Sequence, residues 1–183
     1  MSTQSPTTIN QLVLSALGGD KPGLIDELSR CILNSGCNIV DSRMTVLGGD
    51  FAILLLVDGN WNNIAKLENQ ITQIEERLDL TITARRTTPK GIGKDLLPYG
   101  VDVVALDHPG IVHNLAGFFS KRQINIQEMT TSSYSAAHTG TPMFSVHLMI
   151  DIPATLQISV LREEFMDFCD QLNLDAVIEP VKG

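Results

Sequence analysis

Apolar residues along this chain fall into two periodicities, and the order in which those periods alternate is written twice. Residues 11–17, "QLVLSAL", read as a strand. Leu24, Leu28, Cys31 and Ile32 then mark one face of a helix that starts at Pro22, where a missing N–H costs nothing, and ends near Gly36, a residue suited to a left-handed cap. A second strand runs to about Leu47, and the Gly48–Gly49 pair makes a two-residue hairpin into a third, "FAILLLV" at 51–57. Ile64, Leu67, Ile71, Ile74 and Leu78 form the stripe of a second helix, with Lys66, Glu68, Glu75 and Arg77 expected to face water. A fourth strand spans about 80–86.

The same order returns after residue 98. Asp20, Pro22, Gly23 and Leu28 recur 87 positions later as Asp107, Pro109, Gly110 and Leu115, and Asn38 and Ile39 recur as Asn125 and Ile126. The offset grows to 93, laying "FAILLLVD" (51–58) on "FSVHLMID" (144–151), and then to 94 through the second helix. Three gap-free blocks in one apolar register mark a tandem duplication. Each copy reads β-α-β-β-α-β, which predicts an α+β chain of two ferredoxin-like domains, antiparallel sheets with both helices on one face. The expected boundaries are 1–87 and 99–183, joined by a linker over 88–98. The second copy differs chiefly at its hairpin, where "TSSYSAAHTGTPM" (131–143) makes it six residues longer.

Composition narrows the class. With 43% apolar and 19% charged residues in 183, the chain reads as a globular protein that needs no staple. No apolar run approaches a membrane span, the first ten residues lack a secretory pattern, and three unpaired cysteines fit a reducing, cytoplasmic setting. The net charge of −8 leaves no basic stripe for nucleic acid; Arg85, Arg86, Lys90 and Lys94 read as a solvated linker. No nucleophile–base pair, metal-ligand spacing or phosphate loop is present, so the expectation is no enzyme, no catalytic residue, no metal and no cofactor. Cys31, Cys37 and Cys169 read as core thiols, His147 as a satisfied sheet histidine, and Trp61 as a cover for the start of the second helix.

The repeated Asp-x-Pro-Gly loop is the candidate site. Helix-start N–H groups suit a carboxylate, Asp20 and Asp107 can accept from an ammonium group, and Asn38 and Asn125 offer a donor and an acceptor. The competing reading makes each Asp a helix cap and each Asn a turn residue. His108 and His113, five residues apart, are expected to diverge.

Over about residues 9–181 the chain resembles tandem ACT domains, modules that commonly bind amino acids at the loop after strand one and the start of strand two. That resemblance implies contacts from Asp20, Lys21, Pro22, Gly23, Leu24 and Asn38, and from Asp107, His108, Pro109, Gly110, Ile111 and Asn125. "DSR" at 41–43, "GNWNNIAKLE" at 59–68 and "TGTPMF" at 139–144 resemble the family of glycine cleavage system transcriptional repressors. It implies an amino-acid-responsive repressor, with glycine as ligand, that binds a LysR-type activator protein instead of DNA. A homodimer without membrane contact is expected. Gly18 and Gly19 stand where some amino-acid-binding ACT domains have histidine. The alternative is a regulatory subunit of an amino-acid biosynthetic enzyme.

Overall fold

The computed structural model describes residues 10–88 and 95–181. The chain divides between residues 91 and 92 into two compact units. The first holds β1 (Asn10–Gly19), α1 (Leu24–Asn34), β2 (Asn38–Leu47), β3 (Asp50–Gly59), α2 (Trp61–Leu78) and β4 (Thr81–Thr87). The second holds β5 (Leu96–Leu106), α3 (Ile111–Lys121), β6 (Asn125–Ser135), β7 (Pro142–Pro153), α4 (Ile158–Gln171) and β8 (Asp175–Pro180). The sheets run β2-β3-β1-β4 and β6-β7-β5-β8, antiparallel at every pairing. This is the ferredoxin-like order the repeat predicts.

Each core lies between one sheet face and two helices. Leu12, Leu14 and Ala16 of β1 and Phe51, Ile53, Leu55 and Val57 of β3 alternate inward, onto Leu24, Leu28 and Ile32 of α1 and Ile64, Leu67, Ile74 and Leu78 of α2. Period-2 strands meet period-3.6 helices because only then do both bury one stripe. The second unit repeats this with a cluster of Phe118, Phe119 and Phe165, ring centroids 5.2–5.3 Å apart. The edge strands carry a register shift at matching places, between Ile39 and Asp41 and between Ile126 and Glu128, so the duplication copied the bulge with the strand.

Several expectations are corrected. Pro22 lies in the turn before α1, and the helix begins at Leu24, because Gly23 takes φ 94° at the N-cap. Glu68 and Glu75 do not simply face water. Arg86 donates to Glu68 at 2.9 and 2.6 Å, and the Ile82 N–H donates to Glu75 Oε1 at 2.7 Å, tying α2 to β4. Trp61, at the start of α2, is 60% exposed, with the Arg86 guanidinium 5.7 Å from its ring centroid. The long hairpin is mostly strand, since β6 and β7 stay paired out to Ser135 and Pro142, leaving only residues 136–141 as the turn. Strand β5 begins at Leu96, inside the segment expected as linker, whose residues 89–94, with Lys90 and Lys94, lie outside the described residues. The Gly48–Gly49 turn is as expected, with φ 61° and 93° and Leu47 opposite Asp50.

Candidate functional site

Both Asp-x-Pro-Gly loops are exposed and join the end of a central strand to a helix start. Gly23 and Gly110 adopt φ 94° and 101° at the N-caps of α1 and α3, a left-handed conformation costly for any side chain. A Cβ would meet nothing within 4 Å at Gly23 and only Asn114 Nδ2, in ordinary contact at 3.8 Å, at Gly110, so the glycines answer to backbone geometry, not to a crowding neighbour. No side chain caps either helix, which removes the reading of Asp20 and Asp107 as caps. The first helical bonds are Glu27 N–H to Gly23 O at 3.0 Å and Asn114 N–H to Gly110 O at 2.9 Å. The N–H groups before them, those of residues 24–26 and 111–113, therefore have no intrahelical acceptor.

The two loops differ in what surrounds them. Asp20 is anchored by its backbone, its N–H donating to Gly49 O at 3.1 Å. Asp107 is anchored twice: its N–H donates to Pro142 O at 3.0 Å, and Ser133 Oγ donates to its Oδ2 at 3.1 Å. In β2 the position matching Ser133 is Val46, so this side-chain clamp belongs to the second copy. The second loop also lines a hollow of about 560 Å³ with Asp107, His108, Pro109 and Gly110 on one side and His113 and Phe144 beyond them. His108 and His113 thus share a cavity that helical spacing alone argued against, because His108 precedes the helix and follows no helical geometry. His108 Nδ1 lies 3.1 Å from Pro109 O. Lys21 and Pro22 are exposed, while Leu24 and Ile111 send their side chains into the cores and offer a ligand little beyond backbone N–H.

Asn38 and Asn125 are not beside the loops. Asn38 pairs with Asp58 at the far end of the sheet, the end that holds Gln11, whereas Gly19 beside the loop pairs with Asp50. Eight residues of strand at about 3.3 Å each separate these ends by roughly 26 Å. Asn125 sits likewise opposite Asp151, while the loop follows Leu106, opposite Met143. Chain direction was the missing signal: α1 carries the chain back down the sheet before β2 begins. One ligand within one unit cannot touch both groups. Asn38 instead lines a hollow of about 340 Å³ with Ser29, Arg30 and Leu33, and next to Asn125 the Gln127 amide donates to Asp151.

Elsewhere the chemistry is structural. The three cysteines are free and buried. Burial, with Asp58 nearby, raises the Cys37 thiol, and burial pushes Cys169 up to about 12. His147 Nδ1 lies 2.7 Å from Asp102 Oδ1 on the face of the second sheet. Among the described residues no cluster could hold a metal, and no helix is long and apolar enough to cross a membrane.

Two copies of a β-α-β-β-α-β unit, each with a glycine-capped loop before its first helix, define the class. Residues 10–85 match the ACT-domain family, and the second unit repeats the same order of strands and helices. Over nearly its whole length it resembles the glycine cleavage system transcriptional repressors. It is 29% identical over 170 residues to the Escherichia coli K12 protein of that name, covering 93% of this chain and 90% of the relative. A crystal structure assigned to such a repressor superposes with a TM-score of 0.73 at 27% identity, over 96% of this chain and 99% of that one. A protein of unknown role from Galdieria sulphuraria superposes at 0.82 with 26% identity, over 95% and 99%. These likenesses support a regulatory role and not an enzymatic one.

Proposed function

We propose that this protein is an amino-acid-responsive repressor that controls glycine breakdown by binding a LysR-type activator protein rather than DNA. The observation that carries the ligand half of this reading is the hollow at the second loop. There an anchored carboxylate, Asp107, stands beside helix-start N–H groups that no side chain caps. An α-amino acid places its ammonium on Asp107 and its carboxylate on the N–H groups of residues 111–113, which the helix dipole favours. His108 and Phe144 line the same hollow. The likeness to the E. coli repressor points toward glycine. The protein half rests on charge: at −8 the chain offers no basic stripe with which to neutralise phosphates and release counterions from DNA.

Glycine has five non-hydrogen atoms, and at a ceiling of about −1.5 kcal/mol per atom its binding cannot be tighter than low micromolar. Calorimetry should find a dissociation constant of tens of micromolar or weaker. Asp107→Ala should abolish binding and Asp20→Ala should leave it nearly unchanged. Unaltered affinity in Asp107→Ala would remove the second loop as the site. A pull-down with the full chain addresses the partner: a LysR-type activator should be retained, and recovery of a biosynthetic enzyme instead would overturn that half alone.

A further inference from the structure

The duplication provides a comparison within the chain. In the first unit the groove between α1 and α2 is bordered by Arg30 and crossed by Arg77. Arg30 donates to Asp26 at 2.6 Å and to Glu27 at 2.8 Å, and Arg77 donates to Cys31 Sγ at 2.8 Å while lying 3.6 Å from Glu27. At the matching positions the second unit has Gly117 for Arg30, Phe118 for Cys31 and Gln171 for Arg77. A hollow of about 610 Å³ opens there between α3 and α4.

Gly117 has no reason to be glycine within its own chain. It sits inside α3, its φ is not positive, and nothing lies within 4 Å of where a Cβ would stand. Glycine in a helix interior is unfavourable relative to alanine. The floor is aromatic, with Phe118 and Phe168 centroids 4.9 Å apart. The walls differ in sign: α3 and the residue after it present Lys121 and Arg122, and α4 presents Glu164 and Asp167. Arg122 stacks on Phe118 at 3.7 Å and pairs with Glu164 at 2.7 Å. Lys121 and Asp167 form no ion pair among the described residues.

We propose that the α3–α4 groove is the docking surface for a second copy of this chain, helix pair against helix pair. A groove with one basic and one acidic wall complements itself. A two-fold axis running along it lays each α3 on the partner's α4, so that Lys121 meets Asp167 of the partner subunit and Gly117 admits a partner side chain. An axis across the groove would set like charges together and is disfavoured. The first unit has Asn34 and Gln73 where the second has Lys121 and Asp167, so its groove lacks these charges and the assembly is one dimer and not an open chain of molecules.

Sedimentation velocity on the full chain at micromolar concentration tests this. The wild type should be a dimer that dissociates as salt is raised, since part of its affinity is exposed charge. Gly117→Arg, which installs the first copy's residue, should be monomeric with an unchanged far-ultraviolet spectrum. Lys121→Asp should weaken association at least tenfold, and Lys121→Asp with Asp167→Lys should restore it, which a folding defect would not do. A wild type that stays monomeric at high micromolar concentration overturns the proposal, including in favour of a small-molecule or other protein occupant. A dimer undiminished in Gly117→Arg, or a double variant no better than the single one, also overturns it.

Discussion

Gly110 and Gly117 are seven residues apart and respond oppositely to one added methyl group. At Gly110 the φ of 101° makes any side chain strained, so Gly110→Ala should cost about 1–2 kcal/mol. At Gly117 the helix is regular and the space open within the chain, so Gly117→Ala should stabilise the isolated protomer by roughly 0.5–1 kcal/mol. Urea unfolding of the two variants reads both signs. Cys169 offers a third test at this scale. Its thiol is held up to about 12, above the ordinary value of 9.0, so the folded state keeps a proton that the unfolded chain releases. The stability this contributes is fully present below pH 9 and is lost as pH rises from 9 toward 12, by up to about 1.4 kcal/mol per unit. In Cys169→Ala that part of the slope should vanish from unfolding curves recorded between pH 9 and 11.

Among the elements, the helices and strands were legible because each buries one stripe of regular period, and the stripes name their own residues. Phe165 is fully buried within the aromatic cluster, whereas its counterpart Ile71 only borders the first core. Phe165→Ala should therefore cost about 3–5 kcal/mol and Ile71→Ala clearly less, measured by denaturant unfolding. Apolar period could not reveal where a polar residue of α2 is used. Glu68 and Glu75 lie on flanks of the helix, and only the placement of β4 gives them Arg86 and the Ile82 N–H. Periodicity also carries no direction. It found Asp20 and Asn38 in sequence neighbourhood but could not tell that a whole strand length separates them. The loop geometry was half legible: Gly23 and Gly110 announced a special backbone, yet the hollow at the second loop depends on Phe144 and on the Ser133 clamp, which come from a distant hairpin.

For the whole molecule, the net charge of −8 predicts no salt-sensitive gel shift with a promoter fragment when no activator is present. A shift at submicromolar protein and physiological salt would place the protein on DNA directly. The two hairpins carry a different consequence. Two units of one topology in one chain risk kinetic error during folding, because an edge strand of one copy can find the wrong central strand of the other. The first hairpin closes through a two-residue turn and the second through residues 136–141, where Ala136 N–H bonds Thr141 O at 2.9 Å. Both turns hold an edge strand against its neighbour in the same copy. Each edge strand thus finds its own hairpin partner at a far smaller loop-closure cost than a strand of the other copy.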